Sequence, residues 1–198
     1  LQPSQVKICE MLLTPPYKVI AVSANNIGKS FLAGCLINWF FDSYNPSACI
    51  TTAPSKRDVE DVLWREVRAN RRTAWRFRGD KAPELFDHAD HYAKGYTGNK
   101  AEAFHGRHPR NLFFVLDEAV ALAPYVWQGI KSMFKGGGNH FLFALLNPTK
   151  TTSQAFFEAE SGNYHVINLS AMDHPNITFE LEHANDPDRP EPPIPGAV

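Results

Sequence analysis

Short runs of apolar residues alternate along the chain with longer segments that carry a helical pattern. Five of these runs are predicted to be strands: 18–23, 48–53, 111–116, 140–146 and 164–169. Their apolar positions are continuous rather than alternating, which is typical of strands buried on both faces of a sheet. Helices are predicted over about 29–41 and 56–71. This strand–helix repetition predicts an α/β fold with a mostly parallel central sheet flanked by helices.

Two stretches depart from this alternation. Residues 74–98 are less regular, and we expect a small antiparallel hairpin there, formed by Trp75–Arg78 and His91–Tyr96. From Ala184 the composition changes, and five prolines between Asn185 and Gly196 exclude a helix or a central strand. We therefore predict one domain over residues 1–183 and a proline-rich linker over residues 184–198.

Composition and charge exclude several classes of protein. The 198 residues are 43% hydrophobic, which is enough for one substantial core. The formal net charge is −1, so any contact with DNA must be a local patch. Three cysteines without close pairing argue against a disulfide framework and against a cysteine zinc site. No apolar run reaches the roughly 18 residues that a membrane span needs, so no membrane partner is expected.

A candidate phosphate-binding loop joins the first predicted strand to the first predicted helix. It comprises Ser23, Ala24, Asn25, Asn26, Ile27, Gly28, Lys29 and Ser30. In such a loop, backbone N–H groups and the helix N-terminus face the phosphates of a nucleotide. Lys29 would reach the β- and γ-phosphates, and the Ser30 hydroxyl would ligate Mg²⁺. Ser23 stands where the general pattern has a glycine, so the turn there must avoid a conformation that only glycine adopts.

Two adjacent carboxylates, Asp117 and Glu118, follow the third predicted strand. This position delivers both acids to the carboxyl edge of the sheet, where ligands bind in open α/β folds. Asp117 would hold Mg²⁺, and Glu118 would orient and deprotonate the attacking water. Taken alone, an acid pair can be a helix cap, and Gly-Lys-Ser can be an ordinary helix start. Together the two motifs predict an ATP hydrolase that uses Mg²⁺, with Lys29 and Glu118 as catalytic residues.

Four features, in this order, resemble the N-terminal ATPase domain of the tailed-phage terminase large subunit, a DNA-packaging motor. They are Leu1–Gln5, the phosphate loop, the acid pair and Leu145–Thr149, which ends the fourth predicted strand. The resemblance implies that Gln5 bonds the adenine edge, and that Asn147 and Thr149 belong to a coupling motif near the γ-phosphate. It also implies a RecA-like P-loop fold of the additional-strand, catalytic-glutamate type. In that fold the fourth strand lies between the first and the third.

The resemblance further implies a function and partners. The domain would hydrolyse ATP to move double-stranded viral DNA into a procapsid in the host cytoplasm. Its other partners would be the portal protein and the small terminase subunit, and its copies would form a ring when assembled but be monomers alone. A C-terminal nuclease would follow the linker, and this sequence, which lacks the acid cluster of that nuclease, should not cut DNA. Two alternatives are a superfamily 2 helicase-like translocase and a nucleotide-dependent assembly module with little intrinsic turnover.

The arginines of this sequence depart from the family pattern. Many large terminases carry an arginine within the phosphate loop, but Ala24–Asn26 contains none. An arginine finger must then come from elsewhere, and we favour Arg107 acting on a neighbouring subunit, with Arg110 as the alternative. Both arginines can also simply solvate a loop. On a helix, three arginines at the end of the 56–71 segment and directly after it would share one face: Arg65, Arg68 and Arg72. They would contact DNA phosphates, a neighbouring subunit or only solvent.

Overall fold

The computed structural model describes residues 1–23, 28–71, 77–78, 82–98, 109–170, 172, 175–184, 186 and 190–193. Within these ranges, seven strands form one sheet that has helices on both faces. The strands are β1 (Lys18–Ser23), β2 (Ala48–Ala53), β3 (Glu84–His88), β4 (His91–Thr97), β5 (Asn111–Leu116), β6 (Asn139–Leu146) and β7 (His165–Leu169). The α-helices are α1 (Pro3–Leu12), α2 (Lys29–Ser43), α3 (Trp64–Ala69), α4 (Pro124–Met133), α5 (Gln154–Glu160) and α6 (Pro175–Glu182). A π-helical stretch, Asp58–Leu63, leads directly into α3, and 3₁₀ turns lie at Ala119–Ala121 and Phe134–Gly136.

The order of strands across the sheet is β3-β4-β2-β5-β6-β1-β7. Neighbouring strands are parallel except for the β3–β4 pair. The five strands predicted from apolar runs all occur, with bounds that differ by at most one residue. β6, the fourth of them, lies between β1 and β5, which are the first and the third. The predicted α/β class and strand order are therefore confirmed.

The sheet separates two apolar cores. On β5, Phe113 and Val115 belong to the core beneath α1, α2 and α3, whereas Phe114 and Leu116 belong to the core beneath α4 and α5. Side chains along a strand point alternately to its two faces. Because helices cover both faces, nearly every position of the central strands β1, β2, β5 and β6 is buried, and this explains the continuous apolar runs in the sequence.

Helices α2 and α3 pack closely against each other. A Cβ added at Gly34 would lie 2.8 Å from the backbone carbonyl carbon of Glu66, so a larger residue there would push the helices apart. Beyond the end of α3, the Arg71 guanidinium binds both carboxylate oxygens of Asp42 on α2, at 2.9 and 3.1 Å. These contacts hold α3 against α2.

The predicted hairpin is present, but its first strand is β3 (Glu84–His88), so the prediction of Trp75–Arg78 for that strand is wrong. β3 pairs with β4, whereas Phe77 makes only an isolated bridge to Leu85. Trp75 and Arg76 lie outside the described residues. A tight turn at residues 89–90 fixes the register, so the residues directly before that turn pair with β4. β4 also pairs in parallel with β2, which makes the hairpin an extension of the main sheet.

The last helix, α6, ends at Glu182. The described residues beyond it belong to neither helix nor strand. None of the described helices is long and apolar enough to cross a bilayer.

Candidate nucleotide-binding site

Three neighbouring parallel strands end side by side at one edge of the sheet. Ser23 ends β1, Asn147 follows β6 and Asp117 follows β5. The residue two positions before each of them lies in the core beneath α2. Because strand side chains alternate with a period of two, all three polar residues are placed on the face that α2 covers. The carboxyl edge of a parallel sheet is where open α/β folds bind ligands.

The ends of the candidate phosphate loop have the geometry that its role needs. Ser23 is extended and pairs with Leu169 of β7, so its conformation is one that any residue adopts, and serine replaces the usual glycine without strain. Gly28 has a φ of 76° in the left-handed region and precedes the first residue of α2, Lys29. The predicted loop residues between them, Ala24 to Ile27, lie outside the described residues.

The Lys29 ammonium lies at the centre of the site. Its Nζ donates to Asn147 Oδ1 at 2.6 Å and to the Ser23 carbonyl at 3.4 Å. Burial lowers the pKa of Lys29, and the negative charges of Glu118 and Asp117 oppose that effect. A half-buried cation close to two carboxylates is suited to receive an anion such as a phosphate group.

Asp117 is buried, with 5% of its surface exposed. Its backbone N–H donates to the Thr52 carbonyl at 2.9 Å, which ties the end of β5 to β2. Burial raises the pKa of the Asp117 carboxyl to about 6; the charge of Glu118 adds to this effect and that of Lys29 opposes it. A hydrogen bond from the Glu118 N–H to Asp117 Oδ1, at 3.0 Å, also favours the ionised form. A carboxylate in this position is costly to ionise unless a cation lies close to it.

Glu118 adopts an uncommon backbone conformation. Its φ of 47° and ψ of 42° are left-handed, a region that non-glycine residues enter at a cost and often at functional sites. The chain therefore leaves the line of β5 directly after Asp117, and Glu118 is exposed beside the end of β6. Asn147 Nδ2 donates to Glu118 Oε1 at 3.5 Å, so Asn147 contacts both Lys29 and Glu118.

The remaining predicted ligands lie around this centre. Gln5 is buried on α1; its Oε1 accepts from the Gln2 N–H at 2.9 Å and its Nε2 donates to the Gly28 carbonyl at 3.3 Å. Ser30 is the second residue of α2. Thr149 is exposed, and its N–H donates to the Asn147 carbonyl at 2.8 Å. The structure thus brings together the residues from four separate segments of the chain, while their individual roles stay predictions.

The two candidate arginine fingers have different positions. Arg107 lies outside the described residues. Arg110 directly precedes β5 and Asp117 directly follows it, so they stand at opposite edges of the sheet. A strand rises about 3.3 Å per residue, which separates their backbones by about 20 Å. Arg110 therefore cannot act on the site of its own chain, and only a role on a neighbouring copy is left open.

The arginines predicted to share a face do not share one contact surface. Arg68 donates to the Ala82 carbonyl at 2.6 Å, and its guanidinium lies over the Phe77 ring. The Arg65 side chain is 72% exposed and pairs with the neighbouring Glu66. Arg72 lies outside the described residues. Arg68 thus links α3 to the segment before β3, which leaves Arg65 as the described member that is open to solvent.

One acidic residue near the site was not predicted from the sequence. Asp58 begins the π-helical stretch after β2, and its charge also raises the pKa of Asp117. Ser55 Oγ donates to Asp58 Oδ2 at 2.6 Å, which fixes the carboxylate. Because β2 lies beside β5, the loop after β2 reaches the same edge of the sheet. The available signal was a polar segment, Pro54–Asp58, directly after a fully buried strand.

The strand order, the acid pair on the strand beside β6 and the helix that begins at Lys29 define the fold as that of a P-loop nucleoside triphosphatase. No family model and no curated protein sequence matches the chain. Among solved structures, the chain is similar to the large terminase of a thermophilic bacteriophage, with a TM-score of 0.66 and 14% identity over 87% of this chain and 46% of that one. That terminase has also been solved with ADP and with ATP-gamma-S.

Two further solved structures, a terminase ATPase domain and a helicase domain, are similar to the chain. A mutant of the Thermus phage P74-26 large terminase ATPase domain gives a TM-score of 0.60 and 15% identity, over 93% of this chain and 88% of that domain. The Pyrococcus furiosus Hef helicase domain gives 0.62 and 17%, over 90% of this chain and 39% of that one. The chain thus spans about the length of an isolated terminase ATPase domain but less than half of the first terminase, at 46%. At these identities the similarity establishes the fold.

Proposed function

We propose that the chain hydrolyses ATP and is the motor domain of a phage large terminase, which drives double-stranded viral DNA into a procapsid. The observation that carries the proposal is the meeting of Lys29, Asn147 and Glu118, in which Asn147 contacts both charged groups, at 2.6 and 3.5 Å. The fold that the chain shares with terminase ATPase domains supports the proposal. So does the binding of ADP and ATP-gamma-S by one of those terminases.

The positions of the side chains suit the hydrolysis of a phosphoanhydride. The phosphates would lie against the N-terminus of α2, where backbone N–H groups and the helix dipole favour anions. Lys29 would stabilise the charge that develops on the transferred phosphoryl group. Glu118, exposed on the same side, would orient the attacking water and accept its proton. Gln5, fixed against Gly28 at 3.3 Å, would read the adenine edge.

The residues present also fit a magnesium ion. Mg²⁺ prefers oxygen ligands and keeps several waters, and Asp117 and Ser30 offer a carboxylate and a hydroxyl near the start of α2. The buried Asp117, whose ionisation is unfavourable without a nearby cation, is a group that such an ion would stabilise. When bound, Mg²⁺ would neutralise charge on the β- and γ-phosphate oxygens.

A direct test uses two substitutions in the site. Glu118→Ala is expected to abolish ATP hydrolysis while nucleotide binding survives, and Lys29→Ala is expected to weaken both. Glu160→Ala, an exposed glutamate at the end of α5, is the matched control and should leave both unchanged. Phosphate release and calorimetric titration of the same preparations measure the two properties. Normal turnover in the Glu118→Ala variant would contradict the proposed hydrolysis.

The motor function needs a separate test, because the similarity to a helicase domain leaves a helicase-like translocase as the second candidate. A terminase motor is expected to hydrolyse ATP faster when it is assembled on portal-bearing procapsids with double-stranded DNA. A helicase-like translocase would instead hydrolyse ATP faster with DNA alone, without the portal. An assembly module would hydrolyse ATP at the background rate in both conditions.

In the assembled state, Arg107→Ala is expected to reduce the rate of ATP hydrolysis. An unchanged rate would show that Arg107 is not the arginine finger.

A further inference from the structure

The Lys29–Asn147 contact uses a donor that a triphosphate also needs. A lysine ammonium has three N–H donors and no acceptor. Among the described residues, the Lys29 ammonium donates to two acceptors, Asn147 Oδ1 at 2.6 Å and the Ser23 carbonyl at 3.4 Å. The first distance is that of a short, charge-assisted hydrogen bond. The Asn147 amide oxygen is therefore a strong acceptor for Lys29 where a phosphate oxygen would otherwise bind.

Because Lys29 has only three N–H donors, ADP and ATP differ in how well they bind beside its contact with Asn147. With ADP, one oxygen of the β-phosphate can take the third N–H of Lys29 while Asn147 and Ser23 keep theirs. With ATP, Lys29 is expected to reach both the β- and the γ-phosphate. That arrangement places four acceptors around three donors if Asn147 and Ser23 both stay, so at least one contact must be shared, weakened or lost.

Of the two contacts of Lys29, the one with Asn147 is better able to change than the one with Ser23. Ser23 is the last residue of β1, and its carbonyl belongs to backbone that pairs with β7. Asn147, in contrast, follows the last residue of β6, and its side chain carries the acceptor. The turn after it is closed by the Thr149 N–H, and α5 begins after the cap residue Ser153, whose Oγ accepts from the Phe156 N–H. A change in the Asn147 side chain thus occurs at the start of the segment that leads from β6 into α5.

We propose that Asn147 is a counter-ligand of Lys29 that sets the nucleotide preference of the site, binding Lys29 in the empty and ADP states and giving way to ATP. This inference rests on the proposed function, because it requires that the site bind adenine nucleotides. The contact imposes a cost on the triphosphate that the diphosphate does not meet. Loss of the γ-phosphate after hydrolysis would restore the Lys29–Asn147 bond beside Glu118, which Asn147 Nδ2 also contacts.

The test is the ratio of affinities for a β,γ-imido analogue of ATP and for ADP, measured by calorimetry with Mg²⁺ on the 198-residue chain. Asn147→Ala removes the competing acceptor and is expected to tighten binding of the ATP analogue about tenfold, the size of one hydrogen bond to a charged group. Its affinity for ADP is expected to change little. Asn147→Asp, a stronger partner for the ammonium that also repels phosphate, is expected to weaken the ATP analogue more than ADP.

The matched control is Asn139→Ala, which removes the same side chain at the other end of β6, where Asn139 Nδ2 donates to Asn111 Oδ1. It is expected to leave the affinity ratio unchanged. If Asn147→Ala fails to fold, as judged by thermal unfolding, Asn147→Ser keeps a polar side chain that is too short to reach Lys29 and should tighten the ATP analogue in the same way.

Weaker binding of the ATP analogue by Asn147→Ala would show that Asn147 is a phosphate ligand and would overturn the proposal. An equal change for both nucleotides would overturn it as well, because the contact would then not distinguish them. These results differ from failure of the proposed function, in which the unsubstituted chain would bind neither nucleotide.

Discussion

Gln5 connects α1 to the start of the phosphate-site helix, since its Nε2 donates to the Gly28 carbonyl at 3.3 Å. The approach is close enough that a Cβ on Gly28 would lie 2.8 Å from the same nitrogen. Gly28 also has a φ of +76°, which L-residues rarely adopt. Two separate effects therefore require glycine at this position, the backbone conformation and the contact with Gln5.

Gly28→Ala is expected to destabilise the fold through both effects. Gly162 provides the matched control, because it has a φ of +73° with no atom within 4 Å of an added Cβ. Gly162→Ala should cost about 1 kcal/mol for the left-handed conformation alone, and Gly28→Ala should cost more. Adding Gln5→Ala to Gly28→Ala should recover part of the difference, as measured by denaturant unfolding. Equal costs for the two single substitutions would show that Gln5 does not crowd Gly28.

The left-handed conformation of Glu118 predicts that glycine is a more stable replacement there than alanine. Glycine enters this region without a steric cost, whereas alanine does not. Glu118→Gly is therefore expected to be more stable than Glu118→Ala by about 1 kcal/mol, although neither variant should hydrolyse ATP. At Glu160, which is helical, the order should reverse and alanine should be more stable. Chemical denaturation of the four variants measures both differences, and the same order at both positions would contradict the assigned backbone of Glu118.

The raised pKa of the Asp117 carboxyl predicts that the stability of the protein depends on pH. Burial raises the pKa of its carboxyl from 3.8 to about 6, so the folded state binds more protons than the unfolded state between these values. The contribution of this group to stability is then greatest below about pH 4, falls as the pH rises towards 6, and is lower by on the order of 3 kcal/mol above pH 6. Asp117→Asn should remove that part of the slope and be the more stable protein at pH 7. Identical profiles for the two proteins from pH 4 to 7 would contradict the raised pKa.

The sequence was sufficient to predict the five strands with continuous apolar runs and the meeting of the two motifs. Continuous apolar runs mark buried parallel strands because the sheet is covered on both sides, and the residues after such strands must lie at the carboxyl edge. This places Lys29, Asp117 and Asn147 at one edge without knowledge of any contact. The position of β6 between β1 and β5 followed from the family resemblance and not from the pattern itself.

The sequence did not predict features that depend on local geometry or on distant partners. β3 is partly exposed and has a weak alternating pattern, so the turn at residues 89–90 rather than hydrophobicity decides its register. The left-handed backbone of Glu118 has no signal in residue type, because glutamate does not favour it. Arg68 was predicted to be on an open face, yet its partner is a backbone carbonyl 14 residues away.

The contact between Glu158 and Lys131, away from the nucleotide site, predicts a large coupling energy between these two residues. It is buried on α5, the helix that follows Asn147, and its carboxylate binds the Lys131 ammonium of α4 and accepts from Gln154 Nε2 at 2.7 Å. Removing the cation leaves a buried charge with less compensation. Because Lys131 is itself half exposed, Lys131→Met should destabilise the fold by about 2–3 kcal/mol, the size of a hydrogen bond to a charged group. Combining it with Glu158→Gln should cost less than the sum of the two single changes, by about 1–3 kcal/mol. Lys135→Met, at an exposed lysine on the turn after α4, is the control and should have little effect. Additive costs in a double-mutant cycle of unfolding free energies would mean that Lys131 does not stabilise the buried carboxylate.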